Sequence, residues 1–351
     1  SLDPTMAADN CGVASVTHDY NAGGTTLLGE DFPVGTTTVV WTIEDDNGRT
    51  NTCTYDIVVT DDENPTFTCV GDQAFGTSAD GTSGDCVYSV TDASLDPTMA
   101  ADNCGVASVT HDYNAGGTTL LGEDFPLGTT TVVWTISDVN GNSHTCIYDV
   151  VVTDDEDPTF TCVGDQAFGT SEDGTSGDCV YSVTDASLDP TMAADNCGVA
   201  SVTHDYNAGG TTLLGEDFPV GTTTVVWTVT DLAGLTTTCT IEIVITDDEA
   251  PTIDCSAIDV TQDADAGACT YTVVGTEFDP TFVDNCSATI ENDFNNGASL
   301  AGEDFPVGTT AVVWTATDPA GLTATCTIEI VITDVEAPVI SCLDDFDYNL
   351  L

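Results

Sequence analysis

The sequence predicts an all-β chain of small β-sandwich domains arranged head to tail, and three observations carry that reading. A hairpin-forming stretch, Phe32-Pro33-Val34-Gly35-Thr36-Thr37-Thr38-Val39-Val40-Trp41-Thr42, returns at 125–135 with Leu127 for Val34, at 218–228, and at 305–315 with Ala311 for a Thr. It belongs to a longer repeat: Ser1-Leu2-Asp3-Pro4-Thr5-Met6 recurs at Ser94 and Ser187, a period of 93, while Trp227 to Trp314 spans 87. Solenoids repeat every ~20–50 residues, so this period implies whole small domains on a string. Finally, no segment shows a helical period, and turn signals come every ~8–12 residues, as in a sandwich.

Each element has a local reason. Phe-Pro-x-Gly is a turn, because Pro fixes φ and Gly reaches positive φ without steric cost. The Thr/Val/Trp run after it is β-branched and aromatic and suits a half-buried strand. An Asp-x-x-Gly turn follows at 45–48, 138–141, 231–234 and 318–321, then a second strand carrying one Cys. In the complete unit 62–154, strands are expected at 66–70, 86–91, 106–113 and 118–121, before a closing hairpin of 129–137 and 143–153. A polar loop at 76–84 and turns at 102–105 and 114–117 separate them. The boundaries read as a partial repeat 1–61, repeats 62–154 and 155–247, a diverged repeat 248–334, and the start of another at 335–351. The phase suggests a window on a longer array, and the missing initiator Met and signal peptide fit a mature or internal fragment.

Sixty acidic residues against one basic residue, Arg49, give a net charge of -59. Nucleic acid and anionic membrane surfaces repel such a chain. At 41% hydrophobic content it can still bury a core. With no Lys, crowded carboxylates must be hydrated, protonated or bound to metal. The fifteen cysteines sort as two in the partial first copy, four in each of the next three, and Cys342 alone. Even numbers at regular spacing indicate disulfides and an oxidising compartment, and no Cys-x-x-Cys pair points to a thiolate metal site. No apolar run reaches the ~18 residues of a membrane span.

The Phe-Pro-Val-Gly hairpin, the Asp-x-x-Gly turn, the Thr-Cys-Thr strand, the Asp-Asn-Cys turn and the Asp-x-Glu-x-Pro linker together resemble the hyalin repeat (HYR) module. The resemblance covers essentially the whole chain. It implies tandem immunoglobulin-like sandwiches in an extracellular or bacterial cell-surface protein, with an interaction or spacer role and no catalysis. The four-Cys pattern and missing Lys are also similar to giant surface adhesins of marine bacteria.

Sandwich topology should bring the Asp-Asn-Cys turn and the closing-hairpin turn to one pole, near the domain entrance. Cys146 then faces Cys104, and Cys69 meets Cys86 across a loop. The expected pairs are Cys11 with Cys53, Cys69 with Cys86, Cys104 with Cys146, Cys162 with Cys179, Cys197 with Cys239, Cys255 with Cys269, and Cys286 with Cys326. Cys342 awaits a partner.

The linkers are the functional candidates. Thr-Asp-Asp-Glu recurs at 60–63, 153–156 and 246–249, with Thr-Asp-Val-Glu at 333–336. Entrance turns would add carboxylates, giving Asp61, Asp62, Glu63, Asp102 and Asp138; Asp154, Asp155, Glu156, Asp195 and Asp231; and Asp247, Asp248, Glu249, Asp284 and Asp318. Five carboxylates without a cationic side chain form the hard-oxygen environment that Ca²⁺ takes with ~6–8 ligands. Against this stands the reading of acidic linkers as merely solvated. Asp72, Asp80 and Asp85 read as solvated loop carboxylates, and the 45–48 run as a turn. His18, His111 and His204 read as surface strand positions. Trp41, Trp134, Trp227 and Trp314 read as core anchors. The sequon at Asn285 is weak, and strand propensity accounts for the many Thr.

The expected function is a structural stalk or filament segment, calcium-stiffened and displayed at the cell surface. Its partners would be neighbouring repeats and other copies in a filament. The alternative is a multivalent adhesion module with repeated weak sites for glycans or a surface. No nucleophile–base pair stands out, so no enzyme is expected.

Overall fold

The computed structural model describes residues 2–21, 24–114, 117–207 and 210–342. The middle of the expected 114–117 turn and the stretch after 342 lie outside the described residues. The chain divides into two compact units, 1–156 and 157–351.

In the first unit, β1 (Val13–His18), β2 (Gly35–Asp45) and β3 (Thr50–Val59) form one sheet. The complete repeat follows with β4 (Thr66–Thr68), β5 (Gln73–Gly76), β6 (Val87–Ser89), β7 (Thr98–Ala101), β8 (Val106–His111), β9 (Asp124–Pro126), β10 (Gly128–Asp138) and β11 (Ser143–Thr153). Its four-stranded sheet has the order β5-β11-β10-β8, opposed by the ribbons β4-β7 and β6-β9. The closing hairpin is in register from Gly128 opposite Val152 to Ser137 opposite Ser143. Alternation turns Val132 and Trp134 of β10, with Tyr148, Val150 and Val152 of β11, onto Tyr88, Leu95, Leu120 and Phe125 from the opposite layer. The four Trp are core anchors, none more than 2% exposed.

The second unit repeats this plan twice. Its four-stranded sheets are built on the hairpins of Gly221–Asp231 with Thr236–Thr246 and of Gly308–Thr317 with Thr323–Thr333.

Two local expectations change. The 118–121 segment is not a strand; Leu120 is fully buried and its N–H donates to Asp96 Oδ1 at 2.8 Å. The strand lies instead at β9. The three histidines are not at the surface, since His18, His111 and His204 are each 3% exposed. Register is the reason: His111 opposes Trp134 and so enters the core face, edge-on to the indole at 4.9 Å. Its Nε2 lies 3.1 Å from Thr119 O.

The disulfide pairing also departs from expectation. The bonds are Cys69–Cys146 in the first unit, and Cys162–Cys239, Cys255–Cys326 and Cys179–Cys286 in the second. Cys86 and Cys197 are disulfide-bonded as well, so neither Cys69 with Cys86 nor Cys197 with Cys239 forms. The cause is β5, a strand in the unassigned stretch between the expected first strand and the loop at 76–84. It pairs in parallel with β11, Gln73 opposite Val150, and Asp149 N–H donates to Asp72 Oδ1 at 3.0 Å. Cys69 is thereby carried onto the last strand and away from Cys86. The same crossing excludes Cys162 with Cys179 and Cys255 with Cys269.

Cys104 does not meet Cys146, nor Cys286 Cys326. Cys104 precedes β8, which joins β10 at Asp138, whereas Cys146 opposes Trp134 further inside the hairpin. Cys11 and Cys53 are separated in the same way, and both are free thiols. Cys104, Cys269 and Cys342 are free too.

Candidate metal centre

In the second unit, linker residue Asp247 meets two turns of the repeat that follows it. Asp284 opens the Asp-Asn-Cys turn, its Oδ2 accepting from Cys286 N at 3.1 Å and Ser287 N at 2.8 Å. Asp318 opens the hairpin turn, its Oδ1 accepting from Leu322 N at 2.8 Å. One oxygen of each of Asp247, Asp284 and Asp318 lies within 4.8 Å of the other two. Asp247 is 8% exposed and Asp318 5%. Each carboxylate spends one oxygen on the fold and leaves the other buried without a hydrogen bond: Asp247 Oδ2, Asp284 Oδ1 and Asp318 Oδ2. Burying an unpaired carboxylate oxygen is costly, which makes the donor set fit a hard cation.

Beside them Asn285 ties the joint together. Its Nδ2 donates to Asp247 Oδ1 at 3.1 Å, to Asp178 O at 3.1 Å and to Thr170 Oγ1 at 3.3 Å, leaving Oδ1 buried and unpartnered. The next residue, Cys286, is bonded to Cys179 of the preceding repeat.

Asp248 and Glu249, expected in this set, turn the other way. Asp248 accepts from Ser171 N at 3.0 Å, Ser171 Oγ at 2.7 Å and Thr170 Oγ1 at 3.1 Å. The Ser171 N–H, then its hydroxyl, hold this carboxyl below its ordinary range. Gly169 makes room, since a Cβ there would stand 2.2 Å from Asp248 Oδ2. Glu249 Oε2 accepts from Gly177 N at 3.0 Å.

The corresponding set in the first unit is closed by two asparagines. Asp61, Asp102 and the Cys104 thiol come within 4.8 Å, while Asp62 and Glu63 stay exposed outside the group. Asn140 Nδ2 donates to Asp61 Oδ2 at 2.8 Å, and Asn142 Nδ2 to Asp138 Oδ2 at 2.8 Å. Asp138 Oδ1 accepts from the backbone N–H of Asn140, Gly141 and Asn142. Burial pushes Asp138 up, but these bonds, that of the Asn142 side chain foremost, hold it below its ordinary value. Burial and the Asp61 charge push the Cys104 thiol up. Ala320 and Leu322 stand at the two asparagine positions in the last repeat, which is why Asp318 Oδ2 is left free there. That exchange is legible in the sequence once the turn is known to face the linker.

The middle set divides between the two units. In the first, Thr77 Oγ1 donates to Asp154 Oδ1 at 3.4 Å, Asp155 accepts from Ser78 N at 3.0 Å, and Glu156 Oε2 from Gly84 N at 3.3 Å. The Ser78 N–H and then its hydroxyl keep Asp155 below its ordinary value. In the second, Asp195 Oδ2 accepts from Cys197 N at 2.8 Å, and Asp231 Oδ1 from Gly234 N at 2.6 Å. Asp195 Oδ1 and Asp231 Oδ2 have no hydrogen-bond partner.

Repeated sandwiches, disulfides within and between repeats, the latter at Cys179–Cys286, and acid-lined turns define a modular repeat protein of an oxidising compartment. The chain belongs to the HYR domain family, which it matches over residues 1–59, 60–152, 153–245 and 246–332. It is 29% identical to hyalin of Strongylocentrotus purpuratus over 349 residues, covering 97% of this chain and 26% of that protein. It is 33% identical to hyalin of Lytechinus variegatus over 355 residues, covering 98% and 60%. The mouse sushi, von Willebrand factor type A, EGF and pentraxin domain-containing protein 1 is 33% identical over 188 residues, which are 52% of this chain and 5% of that protein. The chain thus spans less than two thirds of each of these relatives. All three are animal proteins and lend no support to the likeness to bacterial adhesins. Among solved structures, protocadherin gamma B7 domains 1–4 align at 14% identity over 87% of this chain and 84% of that one, with a TM-score of 0.31. Drosophila N-cadherin domains 1–4 align at 13% over 94% and 91%, with a TM-score of 0.29.

Proposed function

We propose that this chain is a segment of an extracellular stalk or filament at the cell surface, with joints held by disulfides and stiffened by Ca²⁺. It performs no catalysis; its partners are neighbouring repeats and other copies of the chain. The observation that carries this reading is the joint at Asp247. Linker and entrance turns meet there through three carboxylates with buried, unpaired oxygens, beside a covalent link to the preceding repeat.

Asp247, Asp284 and Asp318 would hold the ion, and Asn285 Oδ1 offers a neutral fourth oxygen. Water would complete the ~6–8 ligands Ca²⁺ requires. Without a cation, carboxylates ~5 Å apart repel by ~3 kcal/mol per pair at an effective dielectric of ~20. No Lys or Arg occurs anywhere in the second unit to relieve that repulsion. Binding would turn the repulsion into a clamp between the linker and the repeat after it.

Small-angle scattering of the chain in calcium and in chelator tests the reading. A narrower distribution of maximum dimension with calcium is expected. Identical distributions in the two buffers would show that calcium does not stiffen the joints.

A further inference from the structure

We propose that Cys269 and the Asp-Asn-Cys cysteines Cys104 and Cys11 are free halves of the inter-repeat disulfide that Cys179 and Cys286 complete. Each would then accept another HYR repeat covalently, Cys269 by its loop and Cys104 or Cys11 by its turn. This stands apart from the cation reading, because it rests on one formed bond and on the equivalence of its two sides.

The loop side is the same at Cys179 and Cys269. Cys179 leads into Val180–Ser182, which pairs with Asp217–Pro219, Tyr181 opposite Phe218. Cys269 leads into Thr270–Thr272, which pairs with Asp304–Pro306, Tyr271 opposite Phe305. Two residues upstream, each loop is fastened to the linker that ends its own repeat. Gly177 N donates to Glu249 at 3.0 Å, and Gly267 N to Glu336 at 3.0 and 3.1 Å. Cys269 is therefore presented as Cys179 is, beside the linker that leads to whatever follows. It is exposed and unbonded.

The turn side is equally constant. Cys286 N donates to Asp284 at 3.1 Å, Cys104 N to Asp102 at 2.7 Å and Cys11 N to Asp9 at 2.7 Å. Cys104 and Cys11 are free thiols in that geometry. Both halves of the Cys179–Cys286 bond are thus matched by unpaired cysteines elsewhere on the chain, and they are complementary.

Closure needs an oxidant, for which a small disulfide such as oxidised glutathione serves. The Cys269 thiolate attacks one of its sulfurs and releases one small thiol. The Asp-Asn-Cys thiolate of the other repeat then attacks the Cys269 sulfur and releases the second. Two protein thiols lose two electrons and two protons, and one small disulfide becomes two thiols.

The test mixes ordinary and heavy-isotope-labelled chain in a glutathione redox buffer, followed by non-reducing electrophoresis and peptide mapping. The expected result is covalent oligomers whose mixed-isotope cross-links join Cys269 to Cys104 or Cys11. Cys269→Ser should abolish them, and the double variant Cys53→Ser, Cys342→Ser should keep them. Recovery of Cys269 as a thiol or glutathione adduct, or joined to Cys53 or Cys342, overturns the proposal. So does an unchanged oligomer ladder from Cys269→Ser. In protein from the natural source, the peptide bound to Cys269 separates the two origins of the partner. A sequence found in this chain indicates a second copy, and a different Asp-Asn-Cys sequence indicates a further repeat.

Discussion

Cys179 and Cys286 lie 107 residues apart in sequence, in consecutive repeats, with Cα atoms 4.6 Å apart and their sulfurs bonded. A link that closes so long a loop restricts the unfolded chain strongly, by ~4–5 kcal/mol in the chain-entropy model for ~100 residues. The double variant Cys179→Ser, Cys286→Ser should therefore lower the denaturant midpoint of the last two repeats. Cys269→Ser, which breaks no bond in the chain, should leave that midpoint unchanged. Equal midpoints for all three proteins would mean that the bond adds nothing to stability.

Tyr148 sits between two buried partners. Its hydroxyl accepts from Trp134 Nε1 at 3.3 Å and donates to Leu95 O at 2.5 Å. Tyr148→Phe leaves both without that partner and should cost ~1–3 kcal/mol. Ile241 and Ile328 hold this position in the next repeats, and Trp227 Nε1 and Trp314 Nε1 have no partner there. Ile241→Phe, which removes no hydrogen bond, should therefore show none of this polar component. Chemical denaturation of the three proteins decides it.

Gly169 is where the linker closes on its own repeat. Gly169→Ala would drive a Cβ into the Asp248 carboxylate at 2.2 Å. The carboxylate must leave Ser171 and Thr170, so amide exchange at Ser171 should accelerate while the hairpin core keeps its protection. Unchanged exchange at Ser171 would show that the linker is not anchored there.

Asp80 pins the loop before β6, accepting from Thr82 Oγ1 at 2.6 Å, Ser89 N at 2.8 Å and Thr82 N at 2.7 Å. The Thr82 hydroxyl, then the Ser89 and Thr82 N–H groups, hold its carboxyl below the ordinary 3.8. A depressed folded pKa contributes stability that is present above the unfolded value and lost as pH falls through the folded one. The complete repeat should therefore be equally stable from neutrality to about pH 5 and weaken below about pH 4. Asp80→Asn should be less stable at pH 7 and show a shallower acid slope. An identical slope in the variant would remove Asp80 from the acid response.

Much of this was legible in the sequence. The hairpin of β10 and β11 repeats four times with strict alternation, so its strands, its turns and the buried Trp follow from pattern alone. β5 did not, because Gln73-Ala74-Phe75-Gly76 is four residues long, flanked by Gly, and pairs with a strand 77 residues away. Missing it misplaced the partners of Cys69, Cys162 and Cys255, since spacing does not encode connectivity. The acidic joints were legible as linker plus entrance turns. Which carboxylates converge was not, because that depends on small neighbours. Gly169 and Ser171 draw Asp248 aside, Asn140 and Asn142 occupy Asp61 and Asp138, and with Ala320 and Leu322 in their place Asp247 Oδ2 and Asp318 Oδ2 take no hydrogen bond.

The most direct measurement is a calorimetric calcium titration of the chain, the double variant Asp284→Asn, Asp318→Asn, and Leu322→Asn. Binding in the parent chain should lose a site in the double variant. In Leu322→Asn, where the new amide can occupy Asp318 as Asn142 occupies Asp138, that site should weaken about tenfold or more, ~1.4 kcal/mol. Folding of both variants is checked by a cooperative melt in chelator at a temperature no lower than the parent chain's. No calcium heat in the parent chain, or the same number of sites and affinities in all three proteins, would contradict a cation held by Asp247, Asp284 and Asp318.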